Sequence, residues 1–171
     1  FTGLFAFLLY HNTLYDGYEY TFDDHTLTTG NKLVQKGVAG IPEIMTTAYW
    51  YGLDEKNEGS YRPLPLITFA IEKQLFGFSP RVGHAINVIL YTGNCLLLLL
   101  VLQQLFKQTK LPALVPFFVT LLFAAHPVHT EVVANIKSRD EILAMLNLLS
   151  AIFFLFKYLG TKSQSLSLIH I

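Results

Sequence analysis

The feature that most constrains this chain is a run from residue 82 to 106 that contains no Asp, Glu, Lys or Arg and whose centre, Leu96 to Leu100, is uninterrupted leucine. An α-helix rises about 1.5 Å per residue, so such a run covers a hydrocarbon core of about 30 Å with length left for tilt. The whole chain shares this character: 52% of its 171 residues are hydrophobic and only 14% are charged, against roughly 25% charged in an average soluble domain. Its formal net charge is zero, which argues against a surface that holds nucleic acid by neutralising phosphates. The single cysteine, Cys95, sits inside the apolar run and reads as a packing residue, with no disulfide framework around it.

Three further apolar stretches accompany the first. Residues 142–159 follow Ser138-x-x-Glu141, the spacing of a capping box that satisfies free amides at a helix start, and Gly160 supplies a stop. Residues 111–125 contain Pro116 and end at His126. Residues 1–10 are apolar but too short to cross a bilayer, and with no initiator Met at Phe1 they read as a truncated first span. The last stretch, 160–171, shows no helical pattern and receives no structural role. The expected fold is therefore an all-α membrane fold: a polytopic helical bundle fragment of about four spans, with a long outer loop over 11–81, a tight turn at 107–110 and a second outer loop over 126–141. The turn and tail hold Lys107, Lys110, Lys157 and Lys162 without an acid, so the positive-inside tendency assigns them to the cytoplasm. All twelve acidic residues fall in the two loops, which are then periplasmic or luminal in an integral membrane protein.

The long loop carries structure of its own. Between Pro63 and Phe76, the residues Leu64, Ile67, Ile71 and Leu75 recur at helical spacing with Glu72 and Lys73 off the stripe, which predicts an amphipathic helix along the membrane interface. A second short candidate lies at 42–50, where Met45, Tyr49 and Trp50 suit the headgroup zone. No internal repeat with a period of 20 to 50 residues is visible.

Several polar residues could carry chemistry. His84, Asn87, Tyr91 and Asn94 share about an 80° arc of the second span, a stripe that reads either as interhelical hydrogen bonding or as the wall of a substrate cavity. Asp23 and Asp24 are adjacent acids, read as a solvated turn, a helix cap, or a base for a hydroxyl proton. Tyr61-Arg62-Pro63 sets a guanidinium at a helix start, where it could hold a phosphate unless an acid such as Glu58 or Asp54 claims it; Arg81 and Arg139 are alternatives. His126, His129 and Glu131 lie within six residues, a set that would permit a divalent metal, though boundary histidines also bond backbone or lipid phosphate. No cofactor is otherwise implied.

Taken in order, the acidic pair after the first span, Tyr61-Arg62-Pro63-Leu64 before a helix ending Leu75-Phe76-Gly77, and His126-Pro127-Val128-His129-Thr130-Glu131 after the third span resemble the N-terminal membrane region of the transmembrane and tetratricopeptide-repeat-containing O-mannosyltransferases and their bacterial relatives. The resemblance runs from about Phe1 to Leu159. It implies a glycosyltransferase of the C-type fold that takes a mannose-like sugar from a polyprenyl-phosphate donor in the membrane lipid and transfers it with inversion to a hydroxyl acceptor, Ser or Thr of a protein. Asp23 or Asp24 would then be the catalytic base. Arg62 or a neighbour would stabilise the departing lipid phosphate, and His126, His129 and Glu131 would line the donor or acceptor pocket without requiring a metal, while Tyr61, His84, Asn87 and Arg139 stand as further substrate-binding candidates. The repeats and later spans would lie elsewhere in a longer protein, so the fragment is not expected to act alone. Two other classes compete: a non-catalytic membrane anchor for a repeat-containing interaction protein, and a transporter or flippase, which usually places Asp, Glu, Lys or Arg at membrane depth.

Overall fold

A computed structural model describes residues 1–15, 19–107 and 109–161, and every regular element among them is helical. The tail from 162 onward, Lys162 included, lies outside the described residues. In chain order the α-helices are α1 (Thr2–Tyr10), α2 (Phe22–Leu27), α3 (Lys32–Gln35), α4 (Ile41–Ile44), α5 (Tyr51–Asp54), α6 (Pro63–Phe76), α7 (Pro80–Phe106), α8 (Val115–Ala124), α9 (Val128–Val133) and α10 (Arg139–Thr161). Short 3₁₀ turns at His11–Leu14, Gly37–Gly40 and Ile136–Ser138 join some of them.

Two segments are long and apolar enough to cross a membrane, the 27 residues Pro80–Phe106 and the 24 residues Ile136–Leu159. In their most apolar windows only 33% and 11% of residues are buried within the protein, whereas the central helix of a soluble domain would be buried over most of its surface. Both exceed the sequence-based bounds by a few residues. Pro80 sits in the first turn of α7, where a missing amide costs nothing, and α10 continues through Gly160 to Thr161. The expected span at 111–125 is shorter in the structure. Pro112 and Pro116 lack the amides that would carry a helix through them, so α8 starts only at Val115 and holds 10 residues. At about 15 Å, it falls short of the hydrocarbon thickness by itself.

Helix α7 is the axis of the molecule, with α10, α1 and α8 packed around it. Along the bundle, Ala6, Tyr10, Val88, Tyr91, Cys95, Ala124 and Val133 form one buried cluster. A second cluster lies over the N-terminal end of α7. There the loop helices bury Leu27, Leu33, Val34, Ile44, Tyr49, Leu66, Phe69 and Ala70 together with Ile136. The long loop is thus a packed cap with its own core.

Helix α6 occupies the residues that the apolar spacing predicts, and its apolar stripe faces outward except at Ile67, which packs against the cap core. Leu64, Ile71 and Leu75 are exposed, while Leu66, Phe69, Ala70 and Glu72 are buried. A carboxylate on the inner face is tolerable because a guanidinium meets it. Arg139, 0% exposed, donates from Nη1 to Glu72 Oε2 at 2.8 Å and to Thr68 Oγ1 at 3.2 Å, from Nη2 to the carbonyl of Gly83 at 3.1 Å, and from Nε to Asn87 Oδ1 at 2.9 Å. Its carbon Cζ stands 4.3 Å from the ring centroid of Phe69, a favourable face for a cation. Burial pushes the Glu72 carboxyl up, and the guanidinium opposes that shift. The close approach also depends on Gly83, where a Cβ would come within 2.8 Å of Ile136 Cδ1.

Removing one member of a buried ion pair leaves the other charge uncompensated, at a cost of roughly 3–5 kcal/mol. Arg139→Met should therefore lower the unfolding temperature of the detergent-solubilised protein sharply. Combining it with Glu72→Leu should recover a substantial part of the loss, and additive losses in the double variant would contradict this account of the pair.

Candidate functional site

The two adjacent acids have different surroundings. Thr21 begins α2, and both its amide and its hydroxyl donate to Asp24 Oδ2, at 3.0 and 2.9 Å. The other oxygen, Oδ1, accepts from the backbone amide of Lys137 at 2.6 Å, a bond across 113 positions of sequence. Asp24 is 0% exposed, so its acceptor sites serve the fold. Asp23, about 100° further round the helix, keeps a carboxylate that is 49% exposed and lies 3.4 Å from Lys137 Nζ. Of the pair, Asp23 has the face that an incoming hydroxyl could reach.

Arg62 precedes the first turn of α6. Its Nη1 donates to Asp140 Oδ2 at 2.7 Å, so the acid that claims it comes from α10, and neither Glu58 nor Asp54 does. Its Cζ also stands 5.7 Å from the ring centroid of Tyr49. Tyr49 is buried, which pushes its phenol up, and Asp140 adds to the shift while Arg62 opposes it. Tyr61 turns away and donates its hydroxyl to the carbonyl of Met45 at 2.7 Å, which secures the backbone entering α6. Beside Arg62 lies a cleft of about 420 Å³, lined by Leu64, Asp140, Glu141, Leu143, Ala144 and Asn147 among others. That volume falls within the range of small-molecule sites.

The polar stripe of α7 is buried as a unit. Asn87 Nδ2 donates to the carbonyl of Asn135 at 3.0 Å, Tyr91 to that of Ala124 at 3.1 Å, and Asn94 Nδ2 to that of Ile142 at 2.9 Å. The bonds of Tyr91 and Asn94 are interhelical, as one reading of the stripe expects, and that of Asn87 reaches the link before the 3₁₀ turn at Ile136–Ser138. His84 is buried beside them, and the Arg62 cleft is lined by neither His84 nor Asn87. Arg139, a substrate candidate by sequence, spends four of its five N–H groups on protein partners.

The histidines form a second group at the end of α8. The His129 ring centroid lies 4.2 Å from that of Phe123, 5.6 Å from Tyr91 and 6.0 Å from His126. Burial, helped by the nearby His126, holds the His129 imidazole below the usual range. His126 is exposed, its Nδ1 accepting from the amide of Val128 at 3.2 Å. Glu131 is exposed on α9. Among the described residues, no group of three or more His, Cys, Asp or Glu side chains is placed to hold a metal ion, and no hydrogen bond or ion pair links His126, His129 or Glu131 to Asp23 or Arg62.

The structure therefore draws Asp23, Asp24, Arg62 and Asn87 onto one short segment, Asn135 to Glu141, which carries Arg139, and leaves His126, His129 and Glu131 apart from them. Sequence reasoning missed Lys137 and Asn147, and for Asp140 and Glu141 it set a helix-capping reading against a catalytic one. Thr21-x-x-Asp24 was a visible signal for the cap, since a hydroxyl three residues before an acid marks a helix start. The partners of Lys137 and Asp140 had no local signal.

The chain is 34% identical to protein O-mannosyl-transferase TMTC4 of Mus musculus over an alignment 168 residues long that covers 91% of this chain and 22% of that protein. It is 36% identical to protein O-mannosyl-transferase TMTC1 of Homo sapiens over 135 residues, 78% of this chain and 15% of that protein. With protein O-mannosyl-transferase Tmtc1 of Drosophila melanogaster it shares 32% over 165 residues, 95% and 18% respectively. The chain thus spans between 15% and 22% of the length of these relatives. No protein-family model and no solved structure matches it.

The two acids should separate in a stability measurement. Asp24→Ala strands the buried amide of Lys137 and uncaps α2, for a loss of about 1–3 kcal/mol, whereas Asp23→Ala should leave thermal unfolding nearly unchanged. Equal losses would show that the acids are not differentiated.

Proposed function

Since this chain belongs to the protein O-mannosyl-transferase family of these relatives, we propose that it forms part of the membrane domain of an enzyme that transfers mannose from a polyprenyl-phosphate donor to Ser or Thr hydroxyls of proteins. Helices α1, α7, α8 and α10 would provide four crossings. The loops before α7 and after α8 would then share the periplasmic or luminal face, and the lysines beyond α7 and near the end of α10 would lie in the cytoplasm. The observation that carries the reading is the bonding of those two loops to each other through Lys137 and Asp140, with an accessible carboxylate on one side and a guanidinium on the other.

In the proposed step the acceptor hydroxyl gives its proton to Asp23 as its oxygen forms a bond to the anomeric carbon from the face opposite the phosphate. The bond from that carbon to the phosphate oxygen breaks, and the electron pair stays with the phosphate. Asp24 and Lys137 position the base. Arg62 would meet the charge that grows on the departing phosphate, where a fixed guanidinium next to low-dielectric surroundings contributes most. The product is an inverted O-mannoside, and the proton leaves Asp23 for solvent.

Transfer from a polyprenyl-phosphate mannose to a Ser/Thr peptide, measured with the intact protein in detergent or liposomes, tests the assignment. Asp23→Asn should reduce turnover by roughly 10²–10⁴ without changing thermal stability. Wild-type turnover in that variant would remove Asp23 as the base.

A further inference from the structure

The cleft beside Arg62 carries a charge pattern that a simple anion site does not need. Asp140 Oδ1 accepts from the amide of Glu141 at 3.0 Å while Oδ2 accepts from Arg62 at 2.7 Å. The carboxylate, 12% exposed, is held by its own helix and in turn holds a guanidinium that is 53% exposed. With the Tyr49 ring on another side, Arg62 is aimed before any ligand arrives. Glu141 lines the same cleft and is exposed. Two carboxylates face one guanidinium there, so the lining carries a net charge of minus one. From Asp140 the cleft follows α10 past Leu143 and Ala144 to Asn147, about 10 Å by helix rise, so a polar head at Arg62 can keep an apolar tail against the helix.

We propose that Asp140 and Glu141 make this cleft select among lipid-linked phosphates by charge: it takes a singly charged phosphodiester and disfavours a doubly charged monoester. The inference rests on the donor reading above. In that reaction the donor is a phosphodiester with one negative charge. Once the sugar has left and the electron pair has stayed on oxygen, the carrier is a monoester with a charge near −1.5 to −2 at pH 7. The extra charge meets Glu141 and an Arg62 already half neutralised by Asp140, so the spent carrier is expelled in favour of fresh donor. Asp140 is a positioning residue that acts through Arg62, and selectivity against the product is the property it adds.

Equilibrium binding of two probes to the intact protein in neutral detergent at pH 7.5 tests this, with farnesyl phosphate as the monoester and mannosyl farnesyl phosphate as the diester. The wild type should bind the diester more tightly. Asp140→Asn keeps the shape and an acceptor oxygen but removes the charge, and should tighten the monoester roughly tenfold and the diester only about threefold. Glu141→Gln, whose side chain makes no hydrogen bond or ion pair among the described residues, the Ser138-x-x-Glu141 capping box included, should shift the ratio in the same direction and decides the matter if Asp140→Asn fails to fold. Asp140→Ala should weaken both probes by releasing Arg62. An unchanged ratio in the charge-removing variants, or a ratio moved toward the diester, overturns the proposal. A wild type that binds neither probe, or binding indifferent to Arg62→Ala, removes the donor reading itself and the inference with it.

Discussion

One guanidinium holds the cap to the bundle. Arg139 rises from the first turn of α10 into a dry space between α6 and α7, where it meets Glu72, Thr68, Asn87, the carbonyl of Gly83 and the face of Phe69. A guanidinium alone in that position would be prohibitively costly, and the carboxylate and three further acceptors make it tolerable. Because its donors form a rigid planar fork, satisfying them fixes the angle of three helices at once. Its neighbours inherit that precision. Lys137 and Asp140, on either side in sequence, are delivered to α2 and to Arg62 at set positions.

The acidic pair shows how adjacency produces difference. Successive residues of a helix lie about 100° apart, so α2 cannot present both carboxylates to one environment. Asp24 turns inward, where two Thr21 donors and the Lys137 amide saturate it, and Asp23 stays at the surface next to the Lys137 ammonium. Two identical side chains thus acquire different exposure and different bonding partners from one turn of helix. Arg62 follows the same logic in reverse, with a buried tyrosine and a helix-anchored acid holding a charge that remains half in solvent.

What was legible in the sequence was local. Apolar length gave α7 and most of α10, helical spacing gave α6, and the arc from His84 to Asn94 predicted a stripe that does bond across helices. Where prolines stood, the boundary moved: α8 begins four residues after the expected start because Pro112 and Pro116 cannot carry the ladder. Glu72 looked like a solvent-side residue of an amphipathic helix and is instead the buried partner of an arginine 67 positions away. Glu58 and Asp54 lie within eight residues of Arg62, yet its partner lies 78 positions downstream. No period or motif encodes such pairings. They follow from how α7 and α10 cross, which only the assembled bundle determines.

The 113 positions between Asp24 and the amide that completes its bonding have a meaning in time as well as in space. Chains emerge from the ribosome at about 5–20 residues per second, so α2 exists for roughly 6 to 23 s before Lys137 has been made. Glu72, made 48 positions after Asp24, waits a further 67 positions for its arginine, roughly 3 to 13 s at the same rate. The cap therefore cannot settle as it is synthesised, and its completion waits until the first turn of α10 has been made.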